Sequence, residues 1–232
     1  MHDVVLRELL ARLKAGNVVD APCGNGILSN RMSQVGFAVT GLDIVFPSAA
    51  DDFAFLQADI GSTLPLADQS VDGVVSVEGI EHIEQPFKFV RECRRILRSN
   101  GLLVVTTPNI SSLRSRWRWF LTGFHNKCKY ALDETNPGPQ HHINMLSYHE
   151  MRYLLHTNGF RIESVLTNRI KPINWLYLPV VPITYAISRA VIATAKDRDV
   201  NRKISGEVLR EMTKPHLLFG EAMIVVARKL PE

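Results

Sequence analysis

Glu78, Glu81 and His82 crowd into one short segment, Glu78-Gly-Ile-Glu-His-Ile83, and in a helical turn they would share one side at i, i+3 and i+4 spacing. Far along the chain, His141-His142-Ile-Asn-Met-Leu-Ser147 offers two further imidazoles. Carboxylates and imidazoles together could hold Mg²⁺, Mn²⁺ or Zn²⁺ through Glu78, Glu81, His82 and His142, with His141 as an alternative donor. Such an ion would orient an acceptor hydroxyl and lower its pKa. Without an ion, His142 or His82 is a candidate general base, a role typically worth about 10²–10⁴-fold in rate. The plainer reading of either histidine is a hydrogen-bonded pocket residue that moves no proton.

A ligand turn lies upstream. The apolar strand Asn17-Val-Val-Asp20 runs into Ala21-Pro-Cys-Gly24-Asn-Gly26, and Ile27-Leu-Ser-Asn-Arg-Met32 then reads as the start of a helix. Gly24 and Gly26 let backbone approach a ligand with no Cβ in the way. In a dinucleotide enzyme, Gly24-Asn-Gly26-Ile-Leu-Ser29 would cradle a pyrophosphate at the helix N-terminus, with Ser29 in place of the last glycine. Asp20 argues otherwise, because a carboxylate at the strand end would repel a pyrophosphate and suits a cationic ligand. S-adenosylmethionine, with its sulfonium and α-ammonium, is such a ligand. The bland alternative is a glycine-rich turn with no ligand.

Two more acids end predicted strands. Ala38-Val-Thr-Gly-Leu-Asp43 places Asp43 where one carboxylate can accept hydrogen bonds from both hydroxyls of a ribose; its plain reading is a surface loop cap. Phe53-Ala-Phe-Leu-Gln-Ala-Asp59-Ile60 reads as a short third strand, and Leu64-Pro-Leu-Ala-Asp-Gln-Ser-Val-Asp-Gly-Val-Val-Ser-Val77 as a turn followed by a buried fourth.

In these motifs the chain resembles the class I S-adenosylmethionine-dependent methyltransferases. Their first motif, an acid followed by Gly-x-Gly-x-Gly, is matched by Asp20, Gly24 and Gly26; Pro22 stands where that family usually has its first glycine, which imposes a fixed φ and removes an amide donor. Leu64 to Asp72 resembles the family's Leu-Pro-Phe-x-Asp-x-Ser-Phe-Asp. The resemblance runs from about Asn17 to Asn109 and, more weakly, from His142 to Phe160. It implies that S-adenosylmethionine is held by Asp20, Gly24, Gly26, Asp43, Ile44, Asp59, Ile60 and Glu78. Asp59 would reach the adenine amino group and the Ile60 amide the ring. It further implies that Glu78, His82 and His142 carry the catalysis. A metal at Glu78, Glu81, His82 and His142 is implied by likeness to two subgroups, the quinone-biosynthesis O-methyltransferases and the small-RNA terminal 2′-O-methyltransferases.

The elements that must position these residues follow from periodicity. Val4, Val5, Leu6, Leu9, Leu10 and Leu13 recur at helical spacing ahead of the first strand. Between Gln85 and Ser99 a helix turns Phe87, Phe89, Val90, Cys93, Ile96 and Leu97 inward and Lys88, Arg91, Arg94, Arg95 and Arg98 outward, a basic face read as solvated rather than as a nucleic-acid footprint. Asn100-Gly101 is expected to end that helix before the fifth strand, Leu102 to Thr107. Met151, Leu154 and Leu155 mark a later helix, and Val165-Leu166 and Ala222 to Ala227 the last two strands. Alternating strands and helices predict an α/β, doubly wound, mostly parallel seven-stranded sheet, the Rossmann-like fold of those methyltransferases, in a single domain over 1–232 with cap insertions near 111–140 and 168–218.

The first insertion interleaves base and ring, Arg114-Ser-Arg116-Trp-Arg118-Trp-Phe-Leu-Thr, and reads as a lid, with headgroup or nucleic-acid contact as alternatives. The second runs from Pro172 to Ser188 without a charge and is flanked by Arg169, Lys171, Arg189 and Lys196. Pro179, Pro182 and Arg189 argue against a bilayer-spanning helix. They leave an apolar cap over the acceptor pocket, or a peripheral membrane surface over about 172–195 anchored by Trp175, Tyr177 and Tyr185. An apolar content of 46% supports a sizeable core and excludes disorder. The three cysteines form no Cys-x-x-Cys pair, and Asp3, Arg7 and Glu8 interrupt the apolar run a secretion signal needs, so a cytoplasmic, possibly membrane-associated location is expected. A net charge of +4 is compatible with an anionic substrate or surface. The sequence therefore predicts methyl transfer to an oxygen of a small molecule with an apolar or lipid-like body. Alternatives are a silent cofactor-binding protein, a metal-dependent RNA 2′-O-methyltransferase and, weakly, a nicotinamide-dependent dehydrogenase.

Overall fold

The computed structural model describes residues 1–49, 52–194 and 199–231. Its centre is a seven-stranded sheet made of β1 (Asn17–Asp20), β2 (Ala38–Asp43), β3 (Ala54–Gln57), β4 (Val71–Val77), β5 (Leu97–Pro108), β6 (Phe160–Leu166) and β7 (Ala222–Lys229). The strand order is β3-β2-β1-β4-β5-β7-β6, parallel throughout except that β7 runs antiparallel to both neighbours. The order reverses direction between β1 and β4. At such a switch point adjacent loops leave in opposite directions and open a crevice at the carboxyl ends of the strands.

Helices cover both faces. On one, α1 (His2–Arg12) and α2 (Ile27–Gln34) bury Val5, Leu9, Leu28 and Met32 against Val18, Val39 and Val75. On the other, α3 (Pro86–Ile96) and α5 (Tyr148–Thr157) bury Phe89, Cys93, Met151 and Leu155 against Val19, Val74 and Leu103. Alternate residues of one strand thus serve opposite cores, as the period of two requires. The remaining helices are α4 (Leu113–Thr122), α6 (Val181–Thr194), α7 (Asp199–Met212) and α8 (Pro215–Phe219).

Several sequence expectations are corrected. α3 ends at Ile96, and Asn100-Gly101 lies inside β5: Val71 pairs with Leu97 but Gly73 with Leu102, so the intervening residues bulge out with Asn100 at φ +60°. Phe87 faces the rim rather than the core, edge-on to Tyr153. Of the basic residues expected on this helix, Arg94 and Arg95 are paired, Arg95 with Asp68 and Glu92 and Arg94 with the carbonyl of Gly159, while Arg98 lies in β5 and contacts Asp72. β3 stops at Gln57, which leaves Asp59 in the following turn.

The prolines of the second insertion do not break it. A 3₁₀ helix over Pro172–Val180 passes directly into α6, giving 23 residues long and apolar enough to cross a membrane by length and composition. Pro172 opens the 3₁₀ segment and Pro182 lies in the first turn of α6, where a missing N–H leaves no intrahelical bond unmade. Lys196 lies outside the described residues. Arg169 and Lys171 are not free flanking cations, since both pair with Glu221.

Candidate active site

The turn after β1 is built as its glycines require. Gly24 has φ +55° and Gly26 φ +85°, both left-handed, and Gly26 caps α2. A Cβ at Gly26 would stand 2.8 Å from the carbonyl of Ala49 and 2.9 Å from the Phe53 ring. The N–H of Gly24 donates to Oδ2 of Asp43 at 2.8 Å, so the end of β2 fixes the turn after β1. Pro22 finds its place against Gly79, where any Cβ would fall 2.2 Å from the proline Cδ. The glycine absent from the turn is thus matched by one on the opposite wall.

Beside this turn a cavity of about 700 Å³ is lined by Asp43, Ile44, Asp59, Ile60, Glu78 and His82, along with Pro22 and Gly79. Asp59 accepts from the N–H of Gly61 at 2.8 Å and from Ser62 Oγ at 3.1 Å, which holds its carboxylate at the rim. Glu78 follows β4 at φ +47°, a conformation few non-glycine residues adopt, and its N–H is held by Thr106. Asp20 does not line the cavity. It is buried behind the turn, with Oδ2 accepting from Ser29 Oγ at 2.7 Å and Oδ1 without a partner. Burial pushes its pKa up to about 7, opposed by the Ser29 hydrogen bond and reinforced by Asp43. Cys23 is no nucleophile, because burial and the nearby carboxylates push its thiol up to about 12.

The cavity fits S-adenosylmethionine on its own chemistry. Asp43, Asp59 and Glu78 line it with carboxylate oxygens suited to ribose hydroxyls, an exocyclic amine and an ammonium.

The second set of residues meets at the far wall. A 3₁₀ turn, Ile80–His82, carries Glu81 and His82, and the chain near His142 is stitched to it: the N–H groups of Ile143 and Asn144 donate to the Glu81 carbonyl at 2.9 and 3.0 Å, and the Asn144 side chain donates to the Ile83 carbonyl. His82 Nδ1 lies 3.1 Å from the His141 carbonyl, which fixes the Nδ1–H tautomer and leaves Nε2 as an acceptor. The His82 and His142 rings meet edge-on at 4.7 Å. Ligand atoms of Glu81, His82 and His142 lie within 4.8 Å of one another. Glu78 is absent from that group, contrary to the expected metal set: the helical turn begins only at Ile80, and the left-handed backbone at Glu78 sends it to the cofactor cavity. His141 also points elsewhere, with Nε2 at the Asn136 carbonyl.

Glu81 is 0% exposed, and burial pushes its pKa up to about 7, opposed by hydrogen bonds from its own backbone amide and from Thr107 and reinforced by Glu78. His142 has a buried, unpartnered Nδ1, and its pKa is lowered by burial, then by His82 and Lys127. It is therefore a neutral imidazole at pH 7, able to accept a proton or a metal. The sequence reading missed Gly79, Gln85 and Asn144, whose roles depend on which loop packs on which; only the positive-φ demand of the turn itself was open to a motif argument.

The chain matches a family model described as a methyltransferase domain over residues 1–165. It is 32% identical over 170 residues to a Mycolicibacterium smegmatis protein named "Probable S-adenosylmethionine-dependent methyltransferase", covering 71% of this chain and 60% of the relative. It is 35% identical over 102 residues to the ubiquinone biosynthesis O-methyltransferase of Caulobacter vibrioides, covering 40% of each. The chain thus spans less than two thirds of the length of either relative. The fold is shared with a SAM-dependent methyltransferase structure from Archaeoglobus fulgidus at TM-score 0.59 and 17% identity, over 99% of this chain and 95% of the other.

Proposed function

This chain belongs to the S-adenosylmethionine-dependent methyltransferase family, and we propose that it transfers a methyl group to an oxygen of a small acceptor with an apolar or lipid-like body. The observation that carries this reading is the junction of a carboxylate-lined cavity with a pair of histidines at the switch point of the sheet.

When bound, S-adenosylmethionine supplies an electrophilic methyl group on a leaving group already activated by its charge. Asp43, Asp59 and Glu78 bind and orient, with Ile44 and Ile60 framing the base; Gly24 and Gly26 shape the turn, and Asp20 braces it from behind through Ser29. The acceptor hydroxyl gives its proton to the imidazole of His142, whose pKa burial lowers. His82, held by the His141 carbonyl, positions that ring. Alignment of acceptor oxygen and methyl carbon provides much of the remaining rate. A second reading uses Glu81, His82 and His142 as ligands to Mg²⁺, Mn²⁺ or Zn²⁺, favoured by the approach of their ligand atoms to within 4.8 Å of one another.

We further place the protein on the cytoplasmic face of a membrane, as one domain whose insertions meet the lipid. In support, Leu176 and Ile183 are 72% and 60% exposed, and no acidic residue occurs between Pro172 and Thr194. The test is a thermal-shift titration with S-adenosylhomocysteine, with and without Mn²⁺, followed by transfer of labelled methyl from S-adenosylmethionine to a lipid extract. Labelled organic-phase product lost in His142→Gln supports the reading. Label only in RNA, falling steeply with salt, would overturn the acceptor class, and cofactor binding without any product would indicate a silent binding protein. A Mn²⁺-dependent shift abolished by His142→Gln selects the metal reading.

A further inference from the structure

A larger cavity than the carboxylate-lined one, about 1230 Å³, lies between α3, α5, α6 and α7. That exceeds the roughly 300–1,000 Å³ of ordinary small-molecule sites. Its walls are mainly aliphatic and aromatic, with Leu146, Tyr185, Ile192, Val208 and Met212 among them. One end adjoins the histidine cluster. Pro86 lines it and follows Gln85, which lines the cofactor cavity; Asn144 lines it and is tied to Glu81 and Ile83.

Arg116, on α4, reaches the same cavity. Its Nη2 is buried and has no hydrogen-bond partner among the described residues, and burial alone, uncompensated by any acid, lowers its pKa. Three neighbouring ionisable groups in the lining are committed. Glu150 accepts from the Ser147 N–H in the capping box of α5, Arg152 pairs with Glu207 at 2.6 Å, and His149 Nδ1 meets Ser147 Oγ. A guanidinium stays charged at any working pH, and leaving it buried and unpaired is costly. An apolar cavity with one uncompensated cation is complementary to an anion carried on a chain.

We propose that this cavity binds an amphiphile with an aliphatic chain and an anionic group, phosphate or carboxylate, that pairs with Arg116. Calling this ligand the methyl acceptor rests on the function proposed above; the binding site itself does not.

The test is isothermal titration of the full chain with decyl phosphate, decanoate and decyl maltoside below their micelle concentrations, and with inorganic phosphate. At least one anionic chain should bind about tenfold or more tightly than the maltoside, as expected for a charge-assisted bond in a desolvated site. Inorganic phosphate should not reproduce it. Arg116→Gln should abolish that preference, and Thr184→Trp, which fills the cavity from α6 without altering charge, should weaken every chain ligand. The stronger of decyl phosphate and decanoate identifies the anion. Equal affinity for charged and neutral chains, or a preference that survives Arg116→Gln, overturns the proposal. Should that variant fail to fold, undiminished binding by Thr184→Trp does so. A thermal shift with S-adenosylhomocysteine on the same samples separates the readings. Its absence counts against the methyltransferase function alone, and its presence without chain binding counts against this site alone.

Discussion

The N–H of Gly24 donates to Oδ2 of Asp43 across 2.8 Å, so the acid at the end of β2 holds the shape of the turn after β1. Asp43 therefore acts twice, lining the cofactor cavity and ordering its neighbour. Hydrogen bonds to charged groups are worth about 1.5–3 kcal/mol. Asp43→Ala should weaken S-adenosylhomocysteine binding by roughly tenfold to a hundredfold, measured by calorimetry. Unchanged affinity would remove Asp43 from the site.

Asp20 carries a pH signature. Burial raises its pKa from the ordinary 3.8 to about 7 in the folded protein. The folded state then holds a proton that the unfolded state has released, so this contribution to stability is full below about pH 4 and is lost as pH rises through 7. Asp20→Asn should flatten the decline in melting temperature between pH 4 and 8 and melt higher than the parent at pH 8 without ligand. Glu81, also raised to about 7, should retain its own share of the slope. Parallel curves for parent and variant would show that Asp20 is not held protonated.

Gly79 and Pro22 form a contact with no room in it. Adding one methyl group by Gly79→Ala places a Cβ 2.2 Å from the proline Cδ, and overpacking of this kind typically costs about 1–3 kcal/mol. Because Gly79 and Pro22 both line the cofactor cavity, urea denaturation should show the loss together with weaker adenosyl-ligand binding. A variant as stable as the parent would mean that the turn gives way freely.

The long helical insertion exposes its apolar side. Leu176→Glu with Ile183→Glu places two charges on that side and touches neither cavity. The double variant should cease to float with anionic vesicles while keeping its thermal shift with S-adenosylhomocysteine. Flotation equal to the parent's would sink the membrane placement.

Much of the cofactor end was legible because it is local. Asp20, Gly24, Gly26 and Asp43 lie at strand ends whose boundaries periodicity already marked, and a left-handed turn asks for glycine whatever surrounds it. The histidine end was legible only in part. Glu81, His82 and His142 could be suspected from their types, but Glu78 left their company because a local backbone angle, invisible to spacing, turned it. Of the prolines read as breakers, Pro182 lies in the first turn of α6 and Pro179 sits inside the 3₁₀ segment just before it, contexts that spacing alone does not disclose.

By itself the sequence determined the alternation of strand and helix, the glycine turn and its acids, since each depends on residues adjacent in the chain. The tertiary structure decided which distant loops meet. It brought His142 to His82 at 4.7 Å, buried Glu81, and set Arg116 against an apolar cavity with its Nη2 unpartnered among the described residues. Those properties are set by dielectric surroundings and by neighbours supplied from other elements, and a residue's own position in the chain does not carry them.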